Sequence, residues 1–154
     1  MVFSVMALPL PPTSGRGQGT ISFASTLYLC PILDLLLSEI PPDLEPEIRL
    51  GLQEALVNAA THGNQLDTQK TIAVRFRASK DLYWWTICDQ GSEPCGQCCC
   101  ERINHDLPED SSEGGRGFYI LRQIFDRVEW YPHQRELHLG KCIPKLRRRA
   151  DDPG

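Results

Sequence analysis

The sequence contains no long hydrophobic run, so it predicts no membrane-spanning helix. A spanning helix needs about 18 consecutive apolar residues, and no run of that length occurs. Residues 1–10 are largely apolar, but they have no basic segment before them, and Pro9, Pro11 and Pro12 interrupt or follow them. Because a secretory signal has a basic segment before an apolar one, the sequence predicts neither a signal peptide nor association with a membrane.

An excess of basic residues is also missing. The chain has 16 Lys and Arg residues against 20 Asp and Glu residues, and its formal net charge is −4. Proteins that bind nucleic acid non-specifically carry a basic surface. The only basic cluster, at residues 145–149, is followed by Asp151 and Asp152 and is typical of a solvated tail. The composition therefore argues against a nucleic-acid partner.

Regularly spaced cysteines, which would indicate a disulfide framework, are absent as well. The seven cysteines are an odd number, and four of them lie within residues 95–100. This pattern predicts reduced thiols and a cytoplasmic location. The cluster leaves open a zinc site, a redox-sensitive lid, or reduced cysteines in a variable loop. The zinc site is disfavoured, since consecutive side chains diverge and cannot easily meet at one ion, and reduced cysteines in a variable loop are favoured. The cluster consists of Cys95, Cys98, Cys99 and Cys100.

What the 154 residues do contain is enough for one domain. Residues 1–19 end in a Gly- and Ser-rich stretch and are predicted to be a flexible tail. Residues 20–144 are predicted to form the domain, and residues 145–154 a charged C-terminal tail.

Hydrophobic periodicity predicts alternating strands and helices within the domain. Strands are expected at residues 20–25, 71–77, 82–88 and 136–143, with the middle two forming an antiparallel hairpin. Helices are expected at residues 31–40 and 46–62, and a third from about Phe118, with Val128 still on its apolar face. We therefore predict an α+β two-layer sandwich: a mixed, mostly antiparallel sheet with helices packed on one face.

The predicted second helix carries a stripe of short polar side chains beside its apolar face. At 100° per residue, Asn58, Thr61 and His62 fall on the same side as Glu54, whereas the apolar residues of the helix gather on another side. A solvated face would carry long charged side chains instead. The stripe indicates either a binding site in an apolar trough or a buried polar cluster at a capped helix end, and by itself it leaves both interpretations open.

Two glycine-containing segments follow in the chain. Asp89, Gln90 and Gly91 come directly after a predicted strand, and residues 114–117, Gly-Gly-Arg-Gly, precede the predicted third helix. Backbone amides at a glycine-rich helix start suit a phosphate group. Each segment alone is a weak signal.

In this order and spacing, the three segments resemble the conserved boxes of the GHKL ATPase/kinase superfamily. Residues 54–64, EALVNAATHGN, resemble its N box, Asp89-Gln90-Gly91 its G1 box, and residues 113–118, EGGRGF, its G2 box. The resemblance is strongest to the anti-sigma-factor serine/threonine kinase branch, and it implies the Bergerat ATP-binding fold. It departs at residues 92–95, Ser-Glu-Pro-Cys, where many members have a further glycine and a phenylalanine.

The resemblance implies a role for each matching residue, with ATP and Mg²⁺ as cofactors. Glu54 would be the general base, and Asn58 would bind Mg²⁺. Asp89 would accept a hydrogen bond from the adenine amino group, and Gly91 would let the base approach the backbone. The remaining matches would contact the phosphates or hold the helix end: Gly114, Gly115, Arg116, Gly117 and His62.

The same resemblance implies the partners. The protein would bind a sigma factor, phosphorylate a small anti-anti-sigma (STAS-type) protein on Ser or Thr, and form a homodimer. A catalytically silent ATP-binding anti-sigma module is the first alternative, and a redox- or metal-responsive binding protein is the second.

Overall fold

The computed structural model describes residues 6–7, 17–91 and 113–144, and for residues 6–7 and 113–116 it describes the backbone alone. The elements occur in the order β1 (Met6–Ala7), β2 (Gln18–Ala24), α1 (Cys30–Leu36), α2 (Glu45–Asn58), β3 (Thr71–Ala78), β4 (Leu82–Cys88), α3 (Glu113–Ile124), β5 (Arg127–Tyr131) and β6 (Glu136–Cys142). A π-helical turn, Ala59–Gly63, continues α2.

The strands form one sheet in the order β1-β2-β3-β4-β6-β5. Every pairing among the described strands is antiparallel. The predicted α+β fold with a mostly antiparallel sheet is confirmed, and no parallel pair occurs within the described residues. The hairpin predicted between residues 71–77 and 82–88 is present as β3 and β4, with Val74 opposite Ile87.

The side chains of the strands alternate between a helix-covered face and an open face. On β4, Trp85 is fully buried and packs near Phe76 and Phe125, with ring centroids 5.4 and 5.8 Å away. Trp84 lies on the opposite face at the edge of His138. This confirms that the two tryptophans point to opposite faces, with one of them in the core.

The predicted apolar face of α2 forms the centre of the core. Its buried side chains are Ile48, Leu52, Ala55 and Leu56. Pro46 lies in the first turn, where its missing N–H costs nothing. The helices cover one face of the sheet, as predicted, with α2 in contact with both α1 and α3.

Two predicted boundaries differ from the structure. The third helix was expected from Phe118, but α3 begins at Glu113, because its packing against α2 outweighs the low helix propensity of glycine. Val128 was expected on that helix, but it lies in β5 opposite Leu139. The reason is that α3 ends at Ile124 and the chain turns at Asp126, whose N–H donates to the Gly140 carbonyl.

The remaining boundaries shift slightly. The helix predicted at residues 31–40 is α1, which ends at Leu36. The strand β2 begins at Gln18, inside the segment predicted to be a tail. Met6–Ala7 pair with β2. No helix in the described ranges is long and apolar enough to cross a membrane.

Candidate functional site

An open cavity lies where the C-terminal end of α2 meets α3, β4 and the β5–β6 hairpin. Most of the wall is apolar, and polar groups stand at a few points of the rim. The apolar lining residues are Ala55, Ala59, Ile87, Phe118, Trp130 and Leu137, and the polar ones are Asn58, His62, Asp89 and Arg135.

Glu54 and Asn58 lie one turn apart on α2 and meet α3 at Gly117. A Cβ atom at Gly117 would lie 2.6 Å from Asn58 Nδ2 and 2.9 Å from Glu54 Oε1. Only glycine therefore allows α3 to approach these two side chains so closely. The structure brings together the predicted base, the predicted metal ligand and one glycine of the G2 segment.

The π-helical turn at the end of α2 shapes the cavity rim. The Asn64 N–H donates to the Ala59 carbonyl over 2.8 Å, five residues back. Such π-turns are rare in proteins overall, and those that occur are often found at functional sites. His62 lies in this turn and lines the cavity, whereas Thr61, also on the predicted polar stripe, donates its hydroxyl hydrogen to the Val57 carbonyl at 2.7 Å. The stripe is thus partly cavity wall and partly satisfied polar surface.

Asp89 follows β4 directly, as the sequence predicted, and its carboxylate is almost completely buried. Its Oδ1 atom accepts a hydrogen bond from the Gly91 N–H at 2.9 Å and one from the Arg135 Nε–H at 2.5 Å. Its Oδ2 atom lies against Gly63, at a place where any side chain would collide with it. Gly91 itself packs on the Arg135 guanidinium, which leaves no room for a Cβ atom.

Asn64 connects this part of the site to the sheet. Its side chain is completely buried, donates to the Thr71 carbonyl at 3.0 Å and accepts from the Gln90 N–H at 2.8 Å. The Gln90 side chain in turn accepts from the Thr71 N–H at 2.8 Å. These bonds fix the segment that carries Asp89 relative to the end of α2.

Gly114, Gly115 and Arg116 lie in the first turn of α3, where backbone N–H groups have no acceptor within the helix. Gly117 is the fifth residue of α3 and leaves room for Glu54 and Asn58, and its contact with the phosphates stays a prediction. The side chain of Arg116 and the cysteine cluster at residues 95–100 lie outside what the structure describes.

The sequence did not predict Arg135, Trp130 or Phe118 as site residues. All three line the cavity. Arg135 and Trp130 come from the β5–β6 hairpin, whose first strand was not predicted, so nothing local in the sequence pointed to the site. Phe118 is the last residue of the G2 segment.

The site has two chemically distinct ends. At the first, the buried carboxylate of Asp89 lies beside Arg135, which rests on Trp130. At the second, Asn58 and Glu54 meet Gly117, in the N-terminal half of α3. A flat apolar ligand with an amino group would fit the first end. An anionic tail would fit the second, because the start of a helix favours negative charge.

A comparison with protein-family models matches residues 33–141 to the histidine kinase-like ATPase domain. The matched segment contains every residue of the cavity and covers more than half of the chain. A search of curated proteins finds no match. The chain therefore belongs to the family of histidine kinase-like ATPase domains, and ATP binding follows from this membership.

Proposed function

We propose that the protein is an ATP-binding anti-sigma regulatory factor that acts as a serine/threonine protein kinase on a small STAS-type anti-anti-sigma protein. The observation that carries the proposal is the meeting of Glu54 and Asn58 at Gly117, beside a cavity that both Asn58 and Asp89 line. This arrangement matches the roles that the GHKL resemblance assigns to these residues.

The cavity is suited to the base of ATP. Ile87, Leu137 and Trp130 offer apolar surface to a flat ring, and Asp89 offers an acceptor to an exocyclic amino group. A carboxylate in such an apolar pocket gives orientation and specificity, while the apolar walls supply contact area.

Asn58 is the residue that would hold Mg²⁺. Its amide oxygen is a hard ligand, and Mg²⁺ commonly takes only one or two ligands from a protein and retains several waters. Because Gly117 has no side chain, the Asn58 amide can lie against the N-terminal half of α3. When bound, Mg²⁺ supplies positive charge that neutralises the phosphate oxygens.

Glu54 is the proposed general base. It is half-buried, one turn before Asn58 on α2, and it contacts the space at Gly117. From there its carboxylate would accept the proton of a Ser or Thr hydroxyl on the partner protein. Because phosphoryl transfer depends mainly on positioning and charge neutralisation, a carboxylate next to the metal-binding amide suits the reaction.

The proposal includes the partners that the resemblance implies: a sigma factor that is bound, a STAS-type protein that is phosphorylated, and a second copy of the chain in a homodimer. The first test of the proposal is calorimetric titration of the reduced protein with ATP, with and without Mg²⁺. We expect Mg²⁺-dependent binding. No binding up to millimolar ATP would contradict the kinase proposal and leave a family member without its nucleotide.

The second test compares Glu54→Gln with Glu47→Gln. Both variants remove a carboxylate from α2, but Glu47 is exposed and pairs with Lys141 at 2.6 Å on the surface. We expect Glu54→Gln to bind ATP as the wild type does and to lose about 100-fold or more in transfer, the usual contribution of a general base. Glu47→Gln should retain both activities.

Transfer is measured with γ-labelled ATP and purified STAS-type proteins from the same genome, each with a control in which the acceptor Ser or Thr is replaced by Ala. Undiminished transfer by Glu54→Gln would remove Glu54 as the base. ATP binding with no transfer by the wild type to any of these proteins would favour the catalytically silent anti-sigma module.

A further inference from the structure

Arg135 adopts a backbone conformation that its residue type disfavours. Its φ angle is 52°, in the left-handed region, which costs a residue other than glycine or asparagine on the order of 1 kcal/mol. It closes the turn between β5 and β6, where its N–H donates to the Pro132 carbonyl at 3.2 Å. Such a conformation persists when contacts of that residue hold it, and two of the contacts of Arg135, one from its backbone and one from its side chain, are to the same residue.

That residue is Asp89. The Arg135 carbonyl accepts from the Asp89 N–H at 3.4 Å, and the Arg135 Nε–H donates to Asp89 Oδ1 at 2.5 Å. The Arg135 guanidinium carbon also lies 5.8 Å from the centre of the Trp130 ring. Both backbone and side chain of Arg135 therefore hold Asp89, and the guanidinium rests against an aromatic wall of the cavity.

This ion pair differs from surface pairs such as Arg75–Glu136. The Arg135 and Asp89 side chains are 14% and 6% exposed, against 54% and 21% for Arg75 and Glu136. A buried carboxylate is costly unless its charge is paired and its lone pairs are hydrogen-bonded. Arg135 meets both needs at Oδ1, together with the Gly91 N–H.

We propose that Arg135 is a positioning residue for base recognition: it holds the Asp89 carboxylate so that Oδ2, beside Gly63, is the atom that accepts the amino group of the nucleotide base. This inference rests on the proposed nucleotide site and adds a specificity determinant to it. An acceptor held in this way favours adenine, which offers an N–H donor at C6. It disfavours hypoxanthine, which offers a carbonyl oxygen there, because two acceptors would face each other.

The inference is tested by calorimetric titration with ATP and with inosine triphosphate. We expect the wild type to bind ATP at least about tenfold more tightly, since a site built to bond a polar hydrogen rejects an analogue that lacks it. The principal variant is Arg135→Asn, because asparagine tolerates a left-handed φ angle, so that any loss of stability comes from the broken ion pair and not from backbone strain.

In Arg135→Asn we expect ATP affinity to fall by about tenfold or more and inosine triphosphate affinity to change by less than about threefold, so that the preference collapses. Arg135→Lys keeps the charge and should restore part of the preference. Arg75→Gln, on the open face of the sheet, is the matched control and should leave both affinities unchanged.

An unchanged preference in Arg135→Asn, or an equal loss for both nucleotides, would overturn the inference. Tighter ATP binding by Arg135→Asn would also overturn it, because the guanidinium would then compete with the base. Failure of the wild type to bind either nucleotide would instead remove the nucleotide site itself and the inference with it. Urea unfolding curves for each variant separate a loss of recognition from a loss of folding.

Discussion

Cys88 lies at the end of β4 on the open face of the sheet, beside the carboxylate of Glu136. Its Sγ–H donates to Glu136 Oε1 at 3.6 Å. Burial, and next the negative charge of Glu136, raise the pKa of the Cys88 thiol to about 11. Since only the thiolate reacts with alkylating reagents, Cys88 is protected chemically by its surroundings as well as by its partial burial.

We predict slow alkylation of Cys88 by iodoacetamide in the folded protein. With a pKa of about 11, the thiolate fraction at pH 8 is on the order of 0.001, and the rate should rise about tenfold per pH unit up to pH 10. Glu136→Gln removes a cause of the raised pKa and should speed the reaction at pH 8 several-fold. Glu129→Gln, on the same sheet face, is the control. Peptide mass spectrometry measures Cys88 separately from the other thiols, and equal rates in the three proteins would contradict the prediction.

At the scale of elements, the π-helical turn after α2 depends on tertiary hydrogen bonds. Asn64 ends the turn, and its buried side chain bonds to Thr71 at the start of β3 and to Gln90 after β4. A short π-turn with left-handed residues after it, Gln65 and Leu66, gains little from intrinsic propensity. Asn64 therefore joins three segments that local preferences would leave separate.

Asn64→Ala is expected to lower the free energy of unfolding by about 1 to 2 kcal/mol, because a completely buried side chain is lost and two part-buried backbone groups lose their partner. Asn58→Ala is the matched substitution at the last residue of α2, which is half-buried and lines the cavity, and it should change stability by less than about 0.5 kcal/mol. Urea unfolding followed by far-UV circular dichroism measures both. A free energy of unfolding for Asn64→Ala equal to that of the wild type would show that the Asn64 hydrogen bonds contribute nothing net.

At the scale of the whole molecule, the site is assembled from parts that are distant in the chain. Asn58 comes from α2, Asp89 from the end of β4, Phe118 from α3, and Trp130 and Arg135 from the last hairpin. A ligand that contacts all of these segments binds the folded state and not the unfolded chain. Its binding free energy therefore adds to the stability of the fold.

We predict that ATP with Mg²⁺ raises the melting temperature of the protein. At a concentration 100 times the Kd, the ligand adds about 2.7 kcal/mol to the free energy of unfolding. Removal of Mg²⁺ with EDTA should reduce this protection in the wild type. In Asn58→Ala the protection should be smaller and should no longer depend on Mg²⁺. Retained Mg²⁺ dependence in Asn58→Ala, measured by thermal scanning at several ATP concentrations, would mean that another residue holds the metal.

Local signals in the sequence were enough to predict several parts of the fold and of the site. The alternation of apolar residues predicted β3 and β4 and their hairpin, and the period of α2 predicted its buried face. The order and spacing of Glu54, Asn58, Asp89 and the glycines indicated the ATPase family that the family match then showed. In each case the pattern lies within one element, or within short motifs whose order along the chain is informative.

Other features depend on contacts between distant segments, and only the structure shows them. It showed that α3 begins at Glu113, since packing against α2 stabilises a glycine-rich turn that propensity alone disfavours. It showed that Val128 lies in a strand. The sequence did not reveal this, because an apolar spacing of three or four residues does not show where a helix ends. The structure also brought Arg135 to Asp89, a pair separated by 46 positions. No local pattern predicts that pair, because burial and charge compensation act only once the chain has folded.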